Sequence, residues 1–199
     1  VFHLNFLILG FSMGFSDDYD LLKELLFGVK IDNKEFLIIG KVSSGFTMDQ
    51  RTSFLKDLNR IIVDSNIIEP SGSKTPFTFV KPELVIELES VDIINNTSDQ
   101  KIRKSLIKFN GTSYSKVENK PSVSLISPVF KGLRDDKKVE TDQVGINQIL
   151  RIIDLSEEKE EISNKSNSKI IKKEVFLKEI IGRWIKLKPI IYYSNTIFM

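Results

Sequence analysis

A small, mainly β barrel with one capping helix is the fold this sequence predicts. Short apolar runs stand in a row between turn signals, one helix start interrupts them, and there is no strand–helix–strand alternation. The clearest runs are Phe6 to Gly10, Leu25 to Ile31, Glu35 to Val42 and Glu83 to Ile93. Asp32-Asn33 separates the second from the third and predicts a hairpin turn, because an Asx side chain bonds readily to its own backbone. In the fourth run Leu84, Ile86 and Leu88 alternate with Val85, Glu87 and Glu89. That period of two predicts a buried face and a face that is solvated or turned to a polar ligand.

The helix start is Thr47-Met48-Asp49-Gln50, which fits a capping box: Thr accepts a backbone N–H and Gln reaches back three residues later. Phe54, Leu58, Ile61 and Ile62 then recur at helical spacing and predict an apolar stripe over one end of the sheet. Between Asn95 and Lys120 polarity rises, which predicts an extended loop or hairpin insert. Val144, Ile146, Ile149, Leu150 and Ile153 suggest a second helix, and Glu157 to Ser168 is polar and linker-like. The organisation expected is a β domain over 1–142, a helix over 143–154, a polar linker over 155–169 and a segment without an assigned role over 170–199.

Composition narrows the chemistry. The 199 residues contain no cysteine and one histidine, which excludes disulfides, thiolate metal sites and a histidine-rich metal site. A net charge of +2 announces nothing about nucleic acid, so the distribution of basic residues must decide. The apolar start, Val1 to Phe15, carries no basic flank and is shorter than the roughly 20 residues of a membrane span. It reads as a buried strand of a cytoplasmic protein. Because the sequence opens at Val1 inside that strand, it looks like a piece of something longer.

For a barrel of this kind the five-stranded OB fold is a natural candidate, with an SH3-like barrel as competitor. Three segments favour the first. Ile39-Gly40-Lys41-Val42-Ser43-Ser44-Gly45-Phe46-Thr47 is a strand, a glycine turn and a helix start. Phe79-Val80-Lys81-Pro82-Glu83-Leu84-Val85-Ile86-Glu87-Leu88 is an aromatic-Val-x-Pro strand. Ser127-Pro128-Val129-Phe130-Lys131-Gly132-Leu133-Arg134-Asp135-Asp136-Lys137 contains Arg-x-Asp-Lys behind Phe-Lys-Gly-Leu. In this order the three resemble the C-terminal OB domain of ATP-dependent DNA ligases, particularly of the bacterial non-homologous end-joining type. With Phe6 to Gly14, the resemblance covers about residues 4 to 150.

The resemblance implies a domain that closes over ATP while a lysine elsewhere is adenylylated, then turns to grip nicked or broken duplex DNA. Arg134 and Lys137 would meet the phosphates, for which a planar, permanently charged guanidinium and a compact ammonium are suited. Asp136 would orient these basic neighbours rather than bind metal, no second carboxylate being fixed beside it. ATP and Mg2+ would be held mainly by the adenylation domain, whose Lys-x-Asp-Gly motif occurs nowhere in this sequence, so catalysis by this chain alone is not expected. Contacts to the DNA backbone would come from Lys41, the turn Ser43-Ser44-Gly45 and Lys81, extended by Lys101, Arg103, Lys104 and Lys108 of the insert. A Ku-type end-binding protein is a further partner that the resemblance suggests.

Two departures stand out: the insert between Asp92 and Ser127 is longer than in end-joining members, and Thr141-Asp142 replaces the usual residues after the last motif. Phe46 and Phe130 read as core packing rather than base-stacking platforms, and His3 as structural. Two alternatives stay open, a free-standing OB module binding single strands and an RNA-capping or RNA-ligase relative. The acidic strand face at Glu87 and Glu89 counts against the first.

Overall fold

In this computed structural model the described residues are 1–16, 19–72, 75–97 and 100–152, and among them the chain forms eleven strands, two helices and a further helical stretch over 147–152. The strands are β1 (Phe2–Ser16), β2 (Tyr19–Lys30), β3 (Glu35–Val42), β4 (Asp64–Ser65), β5 (Thr78–Phe79), β6 (Val85–Ser90), β7 (Asp92–Ile94), β8 (Arg103–Phe109), β9 (Ser113–Pro121), β10 (Ser124–Ile126) and β11 (Val129–Leu133). Helix α1 is Met48–Leu58, followed by a 3-10 turn over Asn59–Ile61, and α2 is Thr141–Val144. The expected linker 155–169, the segment 170–199 and the end of the expected helix at 153–154 lie outside the described residues.

The main sheet runs β11-β6-β1-β2-β3-β8-β9-β4, with β5 on β1. Its first five strands wrap so that the two ends of the run approach: Ser44, just past β3, makes a single parallel bridge to Val129 of β11. The sheet is therefore not closed by a continuous ladder. This is an OB-like β domain, mainly β as the sequence predicts, with the helix between the third and fourth strands of the ring. The first half of β3 pairs with β8 through Glu35↔Lys108 to Leu37↔Leu106, so the insert adds a hairpin, β8 and β9, to the outside of the ring.

The local signals act as the chain chemistry requires. Asp32 Oδ1 accepts the N–H groups of Lys34 and Glu35 at 3.0 and 3.1 Å and shapes the β2–β3 turn. Thr47 Oγ1 accepts Gln50 N–H at 3.2 Å and Gln50 Oε1 accepts Thr47 N–H at 2.9 Å, completing the capping box. The predicted stripe ends early. Phe54, Leu55 and Leu58 are buried, but α1 stops at Leu58, Ile61 is partly buried in the 3-10 turn, and Ile62 is exposed. Ile61 still packs against the core beside Leu58, and only Ile62 falls outside the cap.

Both faces of the central strands are covered, which explains their nearly unbroken apolar runs. Phe6, Ile8, Leu25, Phe27, Leu37, Ile39, Ile86 and Leu88 fill the barrel interior, packed with Phe54 and Leu58 of α1. Leu7, Leu9, Leu26, Phe36, Ile38 and Val85 point the other way, against Ile107, Tyr114, Phe77 and Phe79. The expectation of an open face at Val85, Glu87 and Glu89 is corrected at its first position: Val85 is buried in the second cluster, and the face opens only at Glu87. The segment after α2 packs on the barrel, with Ile146, Ile149 and Leu150 in its core.

Candidate functional site

Arg134 follows the last residue of β11 and is held in register by its N–H, which donates to Val85 O at 2.9 Å. Its turn is closed by Lys137 N–H on Arg134 O at 3.0 Å. The guanidinium then makes a fork: Nε and Nη2 donate to the two oxygens of Asp136, each at 2.8 Å. Nη1 donates to Glu87 Oε2 at 2.6 Å and, more weakly, to Asn5 Oδ1 at 3.4 Å. Glu87 is anchored from its other oxygen by His3 Nδ1 at 2.9 Å, and Glu89 by Lys131 Nζ at 3.2 Å.

The three strands β1, β6 and β11 thus present a cross-strand ladder of His3 and Asn5, Glu87 and Glu89, and Lys131 and Arg134. Its electrostatics follow from the pairing. The Arg134 guanidinium holds the Asp136 carboxyl down to about 2, with Lys137 adding to the effect. The hydrogen bond from His3, then the hydrogen bond and charge of Arg134, hold Glu87 below its ordinary value against its partial burial. Asp136 and Glu87 in turn push Arg134 upward, so it is cationic at every working pH.

The sequence left Arg134 with Asp136 as its sole carboxylate. A second one, Glu87, shares the guanidinium, because register places Gly132 opposite Glu87 and Asn5 opposite it on the other side. Glu87, Asn5 and His3 are the residues of this site that sequence reasoning missed. The available signal was the alternation at Glu87, which put a carboxylate on the face next to the strand carrying the motif.

The turn 43–46 lies against the same strand. Ser44 Oγ donates to Pro128 O at 2.8 Å, and Phe130 N–H donates to Ser44 O at 3.0 Å. Gly45 has φ +90°, and a side chain there would overlap the Phe130 carbonyl oxygen. Phe46 stacks on Phe130, with ring centroids 4.4 Å apart and planes within 11°, and both meet Phe54 edge-on. These aromatics are packing, with Arg51 donating to Leu22 O and Ser43 O from across the helix.

The basic residues are more dispersed. Lys41, on β3, and Lys104, on β8, lie close enough for their charges to interact; burial pushes the Lys104 ammonium down, Glu69 opposes that shift, and Lys41 adds to it. Lys101, Arg103 and Lys108 are exposed on and beside the same hairpin, Arg103 donating to Asn119 O. Lys81 is exposed in the turn between β5 and β6, its N–H on Ile61 O. Among the described residues no group of three or more acidic or histidine side chains converges as a metal site, and no helix is long and apolar enough to cross a membrane.

Residues 19–137 match the family described as the ATP-dependent DNA ligase C-terminal region. The chain belongs to that family. Two solved structures are similar to it. The ligase domain from M. tuberculosis LigD has 20% identity and a TM-score of 0.45, over 69% of this chain and 37% of that one. A mycobacterial DNA ligase D complexed with ATP and MES has 18% identity and a TM-score of 0.44, over 69% and 36%. The chain thus spans little more than a third of the length of these ligases. No curated protein matches the sequence. The matched region of this ligase family ends at Lys137, so it includes the whole Arg-x-Asp-Lys turn together with β6 and β11.

Proposed function

We propose that this chain is the OB domain of an ATP-dependent DNA ligase of the bacterial end-joining type, working in repair in the cytoplasm. One observation carries the reading: in a chain of this family, the Arg134-Asp136-Lys137 turn stands at the end of a barrel strand with the arginine already oriented by a two-pronged carboxylate bond. A guanidinium prepared in this way suits a pyrophosphate leaving group, because fixed donors stabilise developing charge without reorganising during the reaction. In the first state, Arg134 and Lys137 meet the β- and γ-phosphates of ATP while a lysine of the adenylation domain attacks the α-phosphate. Mg2+, when bound, would be held mainly by the adenylation domain and would supply charge neutralisation at the phosphates.

In the second state the domain turns and grips nicked or broken duplex through its backbone. Lys41, Lys104, Lys101, Arg103 and Lys81 supply cations, and Ser43, Ser44 and Gly45 bring main chain close to phosphate. Sequence-independent contacts suit an enzyme that must join any pair of ends. A Ku-type protein is the partner expected to deliver those ends.

The test uses an enzyme carrying both domains. Arg134→Ala is expected to slow lysyl-AMP formation on the order of a hundredfold, while sealing of pre-adenylylated nicked DNA is comparatively spared. Equal losses in the two assays refute the role given to Arg134.

A further inference from the structure

The Arg134 guanidinium is nearly full as it stands. It has about five N–H donors, of which two go to Asp136, one to Glu87 and one to Asn5. A phosphate that is to be held by two parallel bonds must therefore displace a partner. The partners differ in what they are attached to. Asp136 sits two residues away in the same turn and moves with the arginine. Glu87 is fixed in β6, in register with Asn5 and Gly132, and is pinned by His3. The backbone of Arg134 is itself tied to Val85, so exchange is a matter of side-chain rotation alone.

Resting on the proposed phosphate role of Arg134, we propose that Glu87 is a positioning residue: a placeholder carboxylate that occupies the Nη1 edge of Arg134 until phosphate takes its place. The charged groups facing Arg134 are Asp136 and Lys137 from its turn, Glu87 and Glu89 from β6, His3 from β1 and Lys131 from β11. Glu89 has no bond to Arg134; it is taken by Lys131 and His3. It therefore supplies a control with the same charge on the same face. Through this exchange a strong polyanion replaces one charge-assisted bond with another, whereas a weaker anion loses the competition. Asp136 keeps its grip throughout and preserves the orientation of the fork.

The experiment titrates inorganic pyrophosphate into the full chain and follows the Arg134 side-chain Nε–H and the backbone amides of 133–137 by NMR. Three proteins are compared: the unaltered chain, Glu87→Gln and Glu89→Gln. Removing a competing, partly exposed carboxylate is expected to tighten pyrophosphate binding about threefold in E87Q. E89Q is expected to stay close to the unaltered chain. Equal tightening in both variants overturns the placeholder in favour of a general charge effect. Unchanged or weaker binding in E87Q, with the Arg134 signals still responding, overturns the placeholder and leaves the phosphate role standing. If pyrophosphate moves the Arg134 signals in none of the three, the phosphate role falls, and the placeholder with it.

Discussion

Substituting Gly45 by alanine strikes the contact on which the barrel's near-closure depends. Gly45 has φ +90°, and a Cβ there meets the Phe130 carbonyl oxygen, with Phe130 N at 2.7 Å and a Val129 methyl at 2.8 Å. Holding a residue with a side chain at such a φ costs about 1–3 kcal/mol. The neighbours it meets are largely main chain, so relief requires β11 to move, and that stretches the Phe130 N–H bond to Ser44 O, worth about 1 kcal/mol. Gly45→Ala is therefore expected to destabilise the chain by roughly 2–4 kcal/mol. Gly111 supplies the control: its φ is +105°, but an added Cβ has nothing within 4 Å. Gly111→Ala bears only the backbone cost, roughly 1–3 kcal/mol, and so falls about 1 kcal/mol short of Gly45→Ala. Urea unfolding of the two variants and the unaltered chain measures the difference. Equal losses refute the claim that Gly45 is required by close approach to β11 rather than by its backbone angle alone.

Other expectations follow from single contacts. Tyr114→Phe removes the buried hydroxyl that donates to Val80 O at 3.0 Å and leaves that carbonyl unsatisfied, costing about 1–2 kcal/mol by thermal or urea unfolding. Thr47→Ala removes the helix cap and costs about 1 kcal/mol in the same assay. The Asp136 carboxyl is depressed to about 2 by Arg134, so its stabilising contribution is present above its unfolded value and is lost as pH falls towards about 2. An NMR titration should find the Asp136 carboxyl shifted up towards about 4 in Arg134→Ala. In the two-domain enzyme, Lys41→Ala with Lys104→Ala should weaken nicked-duplex binding and reduce the salt slope by about one for each phosphate that is no longer neutralised; an unchanged slope removes these residues from the DNA interface.

Where the relevant contacts are local, the sequence was readable. The Asp32 turn, the Thr47 capping box and the Glu35–Val42 strand are each decided within a few residues, and each stands where the chain chemistry puts it. The motif segments were legible for the same reason, as strings with a fixed internal spacing. What escaped is long-range. Glu87 reaches Arg134 across 47 positions, and His3 reaches Glu87 across 84, through a strand register no local pattern specifies. The second apolar cluster is assembled from the β8–β9 hairpin, paired beside β3, and from Ile67, Phe77 and Phe79, so Val85 looked solvent-facing when read from its own strand. Ile62 kept helical spacing in the sequence, but the helix tightens into a 3-10 turn that ends at Ile61, which stays on the core, while Ile62 turns into extended backbone and faces solvent.

The most direct test of the central claim, that Arg134 grips the pyrophosphate end of the nucleotide, runs the first step backwards. Enzyme carrying both domains is loaded with AMP, mixed with inorganic pyrophosphate, and followed for the return of ATP. A group that stabilises the forward transition state stabilises the same state in reverse, so Arg134→Ala should slow this release on the order of a hundredfold and weaken the dependence on pyrophosphate concentration. Release at the unaltered rate, with the unaltered pyrophosphate dependence, would contradict the claim and return Arg134 to a structural role in the ladder with Glu87 and Asp136.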